Sequence, residues 1–563
     1  MVAYASSNSD RSSDRHRAWD IPELVQLICE EAEHLPPAKT ARGPRLRPIA
    51  ALTQINRSFW TLAAPCLWRK QTSLTPLLKC LPSDAWEERS VDGRLTFRLT
   101  RPLTTDDCHR LFVYGPLVKC LDTTQAPDEP VMHREVYRML SSCIPKSTLL
   151  PNLRRLYWQM DEGYSQLFFA RFVGSKVTSV RLYRGTRSDI AQPHSDLTPP
   201  TLFLLALADS CPSVRELALA SYDAEFLCDI VGNCWNTISS LTLSSLELSP
   251  HALGHLAELP NLQTLHMAVV DPHLPVILTQ PGFRALTALF LYVPSIETLN
   301  DVLQISGSWP LQQVYIGMHL PSVATEWDKL INTLAAHFMP ETLTALTITE
   351  EQLAESAPRE VIRDQDVDQY LIGGGAIRPL ARFHRLRSVT IQPYCGVAWN
   401  DADVACIARG WPDALELLLA PYHRPPRPPR TTLAALLAFA EHCPGLDYLQ
   451  LATDATHPLP ALGAKTRARL QRLAGNRLDY MHVGLSPLAS TNTRSVAAFL
   501  AVLFPKVTDL GMLEDEGDEE SEHERLWTEV QHYLDNQEFR RGALAEVLEA
   551  MDGAAEEDAM EVA

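Results

Sequence analysis

Two histidines lie four residues apart in the segment His251-Ala-Leu-Gly-His255, a spacing that places both imidazoles on one face of a helix. Such a pair can supply two ligands of a zinc ion, and a metalloprotease adds a glutamate directly after the first histidine. Here that position holds Ala252, and the sequence suggests no third ligand nearby. We therefore interpret the two residues as surface histidines of a helix and predict no metal site.

A run of three glycines, Gly373-Gly374-Gly375, could bring backbone amides close to a phosphate group. The run does not precede a lysine followed by serine or threonine, and it lacks the G-x-G-x-x-G spacing of dinucleotide-binding turns. We predict a flexible loop here. The sequence also contains no G-x-S-x-G motif and no coherent nucleophile–base pair, so we expect a protein that is not an enzyme and needs no cofactor.

The 12 cysteines include no C-x-x-C pair, which excludes a RING-like zinc module. We expect free thiols in a reducing compartment, because the first 18 residues contain no apolar stretch typical of a signal peptide. No stretch of about 18 apolar residues occurs, so we predict no membrane association. Together these features favour a cytoplasmic and/or nuclear location.

The net charge of −18 is concentrated at one end of the chain. From Glu514 onwards there are 18 acidic residues and 3 arginines, a net charge of −15, which leaves −3 for the preceding 513 residues. A nearly neutral body argues against nucleic-acid binding, which requires a basic face. We predict that residues 514–563 form a capping helix, with Trp527 and Leu534 on its covering side, followed by a solvated acidic tail.

A spaced pattern of apolar residues, apolar-x-x-apolar-x-apolar, recurs thirteen times between Leu153 and Met512. The copies begin at positions 153, 177, 214, 238, 262, 286, 311, 343, 386, 414, 446, 478 and 507. Four of the twelve steps are 24 residues long, and a fixed period of this length is typical of leucine-rich repeats. We predict an α/β fold over residues 151–513, a leucine-rich-repeat solenoid in which parallel strands form a horseshoe with helices outside.

The residue between the last two apolar positions of each copy should point away from the core, because side chains alternate along a strand. These outward positions are Tyr157, Arg181, Ala218, Thr242, His266, Phe290, Tyr315, Thr347, Thr390, Leu418, Gln450, His482 and Gly511. Exposed aromatic and arginine side chains on a rigid sheet are typical anchors of protein interfaces. We predict two target-binding clusters, one of Phe290, Tyr292 and Tyr315 and one of Tyr157, Arg181 and Tyr183. In the alternative, a loop over 271–283 covers the first cluster.

Residues 1–17 are polar and lack periodicity, which indicates disorder, and residues 18–70 have the pattern of a small helical module. A first helix begins near Asp20-Ile21-Pro22-Glu23 and ends around His34, followed by a proline-rich loop over 35–48. A second helical region carries Leu52, Ile55 and Phe59 on one side and should break at Pro65. Residues 71–150 link the module to the repeats and include Val118-x-x-Leu121, a candidate degenerate first repeat.

The helical module resembles the F-box, a motif with an apolar-Pro-Glu-Leu helix and a later helix ending in Pro-x-Leu-Trp. The matching segments are Ile21-Pro22-Glu23-Leu24, Ile55-Asn56-Arg57-Ser58-Phe59-Trp60 and Pro65-Cys66-Leu67-Trp68. The loop over 35–48 is longer than the family's usual link. Together with the repeats, the module makes nearly the whole chain similar to large fungal F-box proteins with leucine-rich repeats.

This resemblance implies a substrate-recognition subunit of a Skp–cullin–F-box ubiquitin ligase. In that family the F-box binds a Skp-family adaptor and, through it, a cullin, while the repeats bind a target protein and other subunits supply catalysis. The positions that would contact the adaptor are Ile21, Pro22, Leu24, Ile28, Ile55 and Trp60. An apolar helix face docked in a groove is the physical mode expected for such a contact.

The alternative is a leucine-rich-repeat scaffold or regulator without a ligase role, for example a GTPase-activating or inhibitor protein. In that case the N-terminal helices would only cap the repeats. The two hypotheses differ in the exposure of Pro22 and Leu24: a docking module leaves them on the surface as an apolar patch, whereas a cap buries them.

Overall fold

The computed structural model describes only part of the chain, and its residues divide into two compact units, Met1–Ser244 and Ser245–Ala563. The described residues are 21–34, 48–91, 94–125, 130–144, 148–160, 169–170, 172–184, 200–220, 231, 234–246, 250–269, 282–303, 309–350, 362, 365–419, 427–459, 476–513, 521–545 and 547. The predicted disordered segment 1–17, nearly all of the loop 35–48 and the acidic end 548–563 lie outside them.

The first unit contains short helices followed by parallel strands. Its helices are α1 (Pro22–His34), α2 (Pro48–Leu52), α3 (Arg57–Arg69), α4 (Thr75–Leu78), α5 (His109–Tyr114), α6 (Arg134–Cys143) and α7 (Pro200–Ser210). Its strands are β1 (Lys70–Gln71), β2 (Trp86–Val91), β3 (Arg94–Leu99), β4 (Cys120–Asp122), β5 (Val131–Met132), β6 (Arg155–Met160), β7 (Ser179–Arg184), β8 (Glu216–Ala220) and β9 (Ser240–Leu246), which begins in this unit. Strands β1, β4, β6, β7, β8 and β9 pair in that order, all in parallel.

The second unit contains strands that are mostly separated by helices in the described part of the chain. Its helices are α8 (Pro250–Ala257), α9 (Ile296–Leu303), α10 (Ala324–His337), α11 (Gly374–Ile377), α12 (Asp401–Gly410), α13 (Ala434–His442), α14 (Thr493–Leu503) and α15 (Glu522–Asp535). Its strands are β10 (Thr264–Val269), β11 (Ala288–Val293), β12 (Gln313–Met318), β13 (Ala345–Glu350), β14 (Ile372–Gly373), β15 (Ser388–Gln392), β16 (Val397–Ala398), β17 (Glu416–Leu418), β18 (Tyr448–Gln450), β19 (Tyr480–His482) and β20 (Asp509–Gly511). All but β14 and β16 join one parallel sheet in sequence order.

The strand register matches the register predicted from the repeats. Tyr157 lies opposite Arg181 in one unit, and Phe290 lies opposite Tyr315 in the other. The apolar residue that precedes each outward position is buried in the core, as Leu265 illustrates. Parallel strands in this register, connected by helices, confirm the predicted α/β leucine-rich-repeat solenoid.

The repeat pattern begins earlier than its first clear copy. Strand β4, which contains Leu121 of the candidate degenerate repeat, pairs in parallel with β6, and β1 pairs in parallel with β4. An antiparallel hairpin of β2 and β3 is inserted between β1 and β4. Parallel pairing in the first unit therefore extends back to Lys70.

Buried thiols contribute packing rather than chemistry. All cysteines among the described residues are free. Cys211 and Cys443 lie where a helix ends before the next strand, and burial raises the pKa of each thiol to about 12. Both thiols therefore stay protonated at physiological pH and pack as small apolar side chains.

The structure places the histidine pair as its spacing predicts but not the run of three glycines. His255 lies in helix α8, as its spacing predicts, and the described residues contain no group of three residues suited to a metal ion. The prediction of a flexible loop at the glycine run is wrong, because Gly373 ends β14, which pairs with β16, and Gly374 begins α11. Among the helices that the structure describes, none is long and apolar enough to span a membrane.

Packing against a carboxylate explains one of the three glycines. A Cβ atom on Gly374 would lie 1.8 Å from Cγ of Asp403, a buried residue at the start of α12. That carboxylate accepts hydrogen bonds from the backbone N–H of Asn400 and from Arg378, both at 3.1 Å, so it cannot move aside without losing them. Gly375 has no atom within 4 Å of such a position.

We expect opposite effects on stability from two alanine substitutions in this run. Gly374→Ala should lower the free energy of unfolding by about 1–3 kcal/mol through overpacking, and Gly375→Ala should raise it by about 0.5–1 kcal/mol because alanine favours a helix. Urea unfolding of both variants beside the wild type measures the difference. Equal effects would show that the contact with Asp403 does not set the cost.

Candidate interaction surfaces

The helical module has a buried core of its own. Helices α1 and α3 pack against each other with α2 beside them, and the core residues are Val25, Cys29, Ile49, Phe59, Ala63 and Cys66. The valine and cysteine of α1 are four residues apart and therefore share one face of the helix. Among the described side chains of α1, these two are the ones buried in the module core.

Helix α3 is longer than the sequence predicts. Asn56 caps its N-terminus by accepting a hydrogen bond of 2.9 Å from the backbone N–H of Phe59. The predicted break at Pro65 is wrong, because the helix continues through it to Arg69. Proline removes one backbone hydrogen bond, but burial of Cys66 and packing of Leu67 against the module core stabilise the final turn.

An apolar stripe on α1 is exposed to solvent. We define the exposed apolar stripe as Ile21, directly before the helix, with Leu24, Leu27 and Ile28 on it; Leu24 is three or four residues from each of the other three. Leu24 is 42% exposed and Leu27, the most exposed of the four, 56%. Pro22, at the start of the helix, is exposed as well. Leu27 was not among the predicted adaptor contacts, although its helical spacing to Leu24 could have indicated it.

The other two predicted adaptor contacts lie apart from helix α1 in the chain. Ile55 is 57% exposed in the turn that separates α2 from α3. Trp60 is half-buried, and its ring packs edge-on against Tyr114 of α5 at 6.4 Å between centroids. Trp68 stacks on the same tyrosine at 4.7 Å. Helix α3 is therefore anchored to the rest of the first unit, and Trp60 offers only part of its surface to a partner.

The structure brings together the predicted cluster of the first unit. Strands β6 and β7 place Tyr157 and Arg181 side by side, with the guanidinium carbon 4.8 Å from the centre of the tyrosine ring. Tyr183, two residues further along β7, points to the same side of the sheet and is exposed. A cation–π contact of this length holds the arginine on the ring face.

The structure also brings together the predicted cluster of the second unit and adds a member. The Phe290 ring lies 6.2 Å from that of Tyr315, and Tyr292 lies 5.3 Å from the same tyrosine. His266 stacks on Phe290 at 3.9 Å. Burial lowers the pKa of this histidine, so the neutral ring extends the aromatic surface at physiological pH. The position of His266 one period earlier in the outward row was the sequence signal for it.

A glycine provides the space for this aromatic cluster. A Cβ atom at Gly317 would lie 2.8 Å from the Tyr292 ring. Of the loop over 271–283 that was predicted to cover the cluster, the structure describes only residues 282 and 283. Phe283 is buried, and its ring lies 5.3 Å from that of Trp309. The four aromatic side chains remain half-buried on the sheet, a suitable geometry for a protein contact.

Comparisons with known proteins give no family assignment. No protein-family model matches the sequence, and no curated protein matches it. Among solved structures, the chain is similar to Rad7 in the yeast Rad7–Elc1 complex, with 12% identity, a TM-score of 0.34 and coverage of 86% of this chain and 94% of that one. It is also similar to the leucine-rich-repeat protein LegL7 of Legionella pneumophila, with 12% identity, a TM-score of 0.28 and coverage of 67% and 97%.

Likenesses this distant do not bear on function. The strand register and connecting helices of each unit, independently of these comparisons, define the protein as a leucine-rich-repeat scaffold. Scaffolds of this class offer an extended sheet surface to a partner.

Proposed function

We propose that this protein is the substrate-recognition subunit of a Skp–cullin–F-box ubiquitin ligase. The observation that supports the proposal is the exposed apolar stripe on a helical module that already has a complete core. Each of its four residues keeps 38–56% of its surface exposed. Such a surface on a soluble module is typical of a docking site for another protein.

The two sides of the module favour docking over a pure capping role. Helix α3 packs inward through Trp60 and Trp68 against Tyr114. Helix α1 presents Leu24 and Leu27 outward. A helix that only capped the repeats would bury these leucines, so their exposure argues against the alternative of a scaffold without a ligase role.

In this proposal the exposed apolar stripe and Ile55 bind a Skp-family adaptor, which connects the protein to a cullin. The motif order that resembles the F-box supports a Skp-family adaptor as the occupant of the stripe. The clusters around Arg181 and Phe290 bind the target protein. The complex acts in the cytoplasm, the nucleus or both, and other subunits carry out the chemistry of ubiquitin transfer.

We expect Leu24→Asp to weaken binding of a Skp adaptor by at least ten-fold. Burial of the exposed part of this leucine contributes about 1 kcal/mol, and the aspartate adds the cost of desolvating a charge, so the sum exceeds the 1.4 kcal/mol of one decade. The first turn of α1 tolerates an acidic residue, because a helix N-terminus favours negative charge. Titration of purified adaptor against the variant measures the loss.

Leu95→Asp is the matched control, since Leu95 is also 42% exposed but lies on β3. It should bind the adaptor as the wild type does. Circular dichroism of each sample checks the fold. Unchanged adaptor binding by a folded Leu24→Asp variant would mean that the stripe is not the docking surface, and loss of its fold would favour the capping role.

A further inference from the structure

A group of exposed basic residues lies in the strands of the first unit and directly before them. We define the basic face as Lys119, Arg154, Arg155, Arg181 and Arg215, all of which are exposed. Backbone hydrogen bonds align three of them directly before the strands. The Arg154 N–H donates to the Lys119 carbonyl at 2.9 Å, the Thr178 N–H donates to the Arg154 carbonyl, and the Arg215 N–H donates to the Thr178 carbonyl at 2.8 Å. Arg155 and Arg181 follow on β6 and β7.

Few acidic groups balance this basic face. Within β4, β6, β7 and β8 the acidic residues are Asp122 and Glu216. Asp122 is buried, lies 3.9 Å from Lys70 and accepts a hydrogen bond from Thr124. No carboxylate among the described residues forms an ion pair with the five basic side chains. Among the described residues, this face therefore carries more basic than acidic side chains.

Arg181 is exposed and available to bind an anion. Its guanidinium carbon lies 4.8 Å from the centre of the Tyr157 ring, a cation–π contact that restrains the side chain. A guanidinium held in this way can donate two parallel hydrogen bonds to one carboxylate. The exposed hydroxyl of Tyr183, on the same strand, adds a further donor beside it.

We propose that the basic face binds an acidic segment of a partner protein, with aspartate or glutamate carboxylates paired to Arg181 and Arg155. Charge complementarity selects this occupant. Nucleic acid fits less well, because Glu216 interrupts the basic residues that a phosphate backbone would follow. The inference deepens the proposed function, since the segment would belong to the ligase target, but its test does not involve the adaptor.

The test uses the full chain and a fluorescein-labelled peptide of alternating glutamate and serine, with binding followed by fluorescence anisotropy. We expect the wild type to bind the peptide and the double variant Arg155→Gln/Arg181→Gln to bind at least about ten-fold more weakly, since each lost contact is a charge-assisted hydrogen bond. Tyr157→Leu should weaken binding several-fold by releasing Arg181, whereas Tyr157→Phe should not, because phenylalanine keeps the ring face.

Arg409→Gln is the matched control: this arginine is exposed on helix α12 of the second unit and should leave peptide binding unchanged. Circular dichroism confirms that each variant is folded. The proposal is overturned if the wild type does not bind the peptide, if the double variant binds as well as the wild type, or if a single-stranded oligonucleotide binds more tightly with the same arginine dependence. Adaptor binding should be unaffected in every variant, so a failure here is distinct from a failure of the proposed function.

Discussion

Replacement of Trp527 with alanine is expected to destabilise the second unit by about 3–5 kcal/mol, because it removes a large buried aromatic side chain and leaves a cavity. Trp527 is completely buried on α15, together with Leu526, Val530 and Leu534. Its indole N–H donates a hydrogen bond of 2.8 Å to the carbonyl of Ser486. Truncation to alanine would also leave that buried carbonyl without its donor.

Chemical denaturation followed by tryptophan fluorescence and circular dichroism measures this loss. His532→Ala is the matched control, since His532 lies on the same helix but faces solvent, and its loss should change the unfolding free energy by less than about 0.5 kcal/mol. Similar midpoints for the Trp527→Ala variant and the wild type would mean that α15 does not protect the last repeat.

The second large effect is expected at Glu350, a buried carboxylate at the end of β13. One oxygen accepts hydrogen bonds from the backbone N–H of Ser322 and the indole N–H of Trp327, both at 2.9 Å, and the other accepts from the backbone N–H of Tyr394 at 2.6 Å. The side chain thus connects β13 with the segment before α10 and the segment after β15. Its loss would remove the acceptor of all three hydrogen bonds, two of which are fully buried.

Glu350→Leu is therefore expected to cost about 2–4 kcal/mol, since each unsatisfied donor loses its interaction with water as well. Glu350→Gln should cost about 1–2 kcal/mol, because its amide group opposes one of the three donors. Glu341→Leu, at an exposed position of the same unit, is the control. If all three variants unfold at the wild-type urea concentration, the three hydrogen bonds do not stabilise the fold.

The cost of losing Glu350 should depend on pH. Burial raises the pKa of this carboxyl above its ordinary range, despite the hydrogen bonds that favour its charged form. A raised pKa in the folded state means that folding binds protons, so the stability that Glu350 contributes is greatest below the unfolded-state pKa of about 4.3 and declines as the pH rises. The difference between the wild type and Glu350→Leu should shrink from pH 4 towards neutrality, and an increase would contradict this assignment.

Local sequence periodicity determined the strands and their register. An apolar pattern with a 24-residue period specifies which residues enter the core, and the alternation of a strand then decides which face outward. For this reason the pairing of Phe290 with Tyr315 was predictable without coordinates. The helical start at Pro22 was predictable on the same local grounds.

Tertiary packing decided what local patterns leave open. The run of three glycines predicted a flexible loop, whereas in the structure Asp403 occupies the space beside Gly374. Pro65 predicted the end of a helix, whereas in the structure the turn that follows it packs against the module core. A glutamate is ordinarily solvated, yet three donors distant in sequence surround Glu350.

The surfaces proposed for binding show the same division. Sequence alone placed Tyr157 and Arg181 on neighbouring strands, because their register follows from the repeat. It could not show that Arg181 stacks on the tyrosine or that no nearby described carboxylate neutralises it, since those facts depend on residues from several repeats meeting in space. Likewise, only packing decided which apolar residues of α1 lie in the core and which lie on the surface, because in the sequence all of them are apolar.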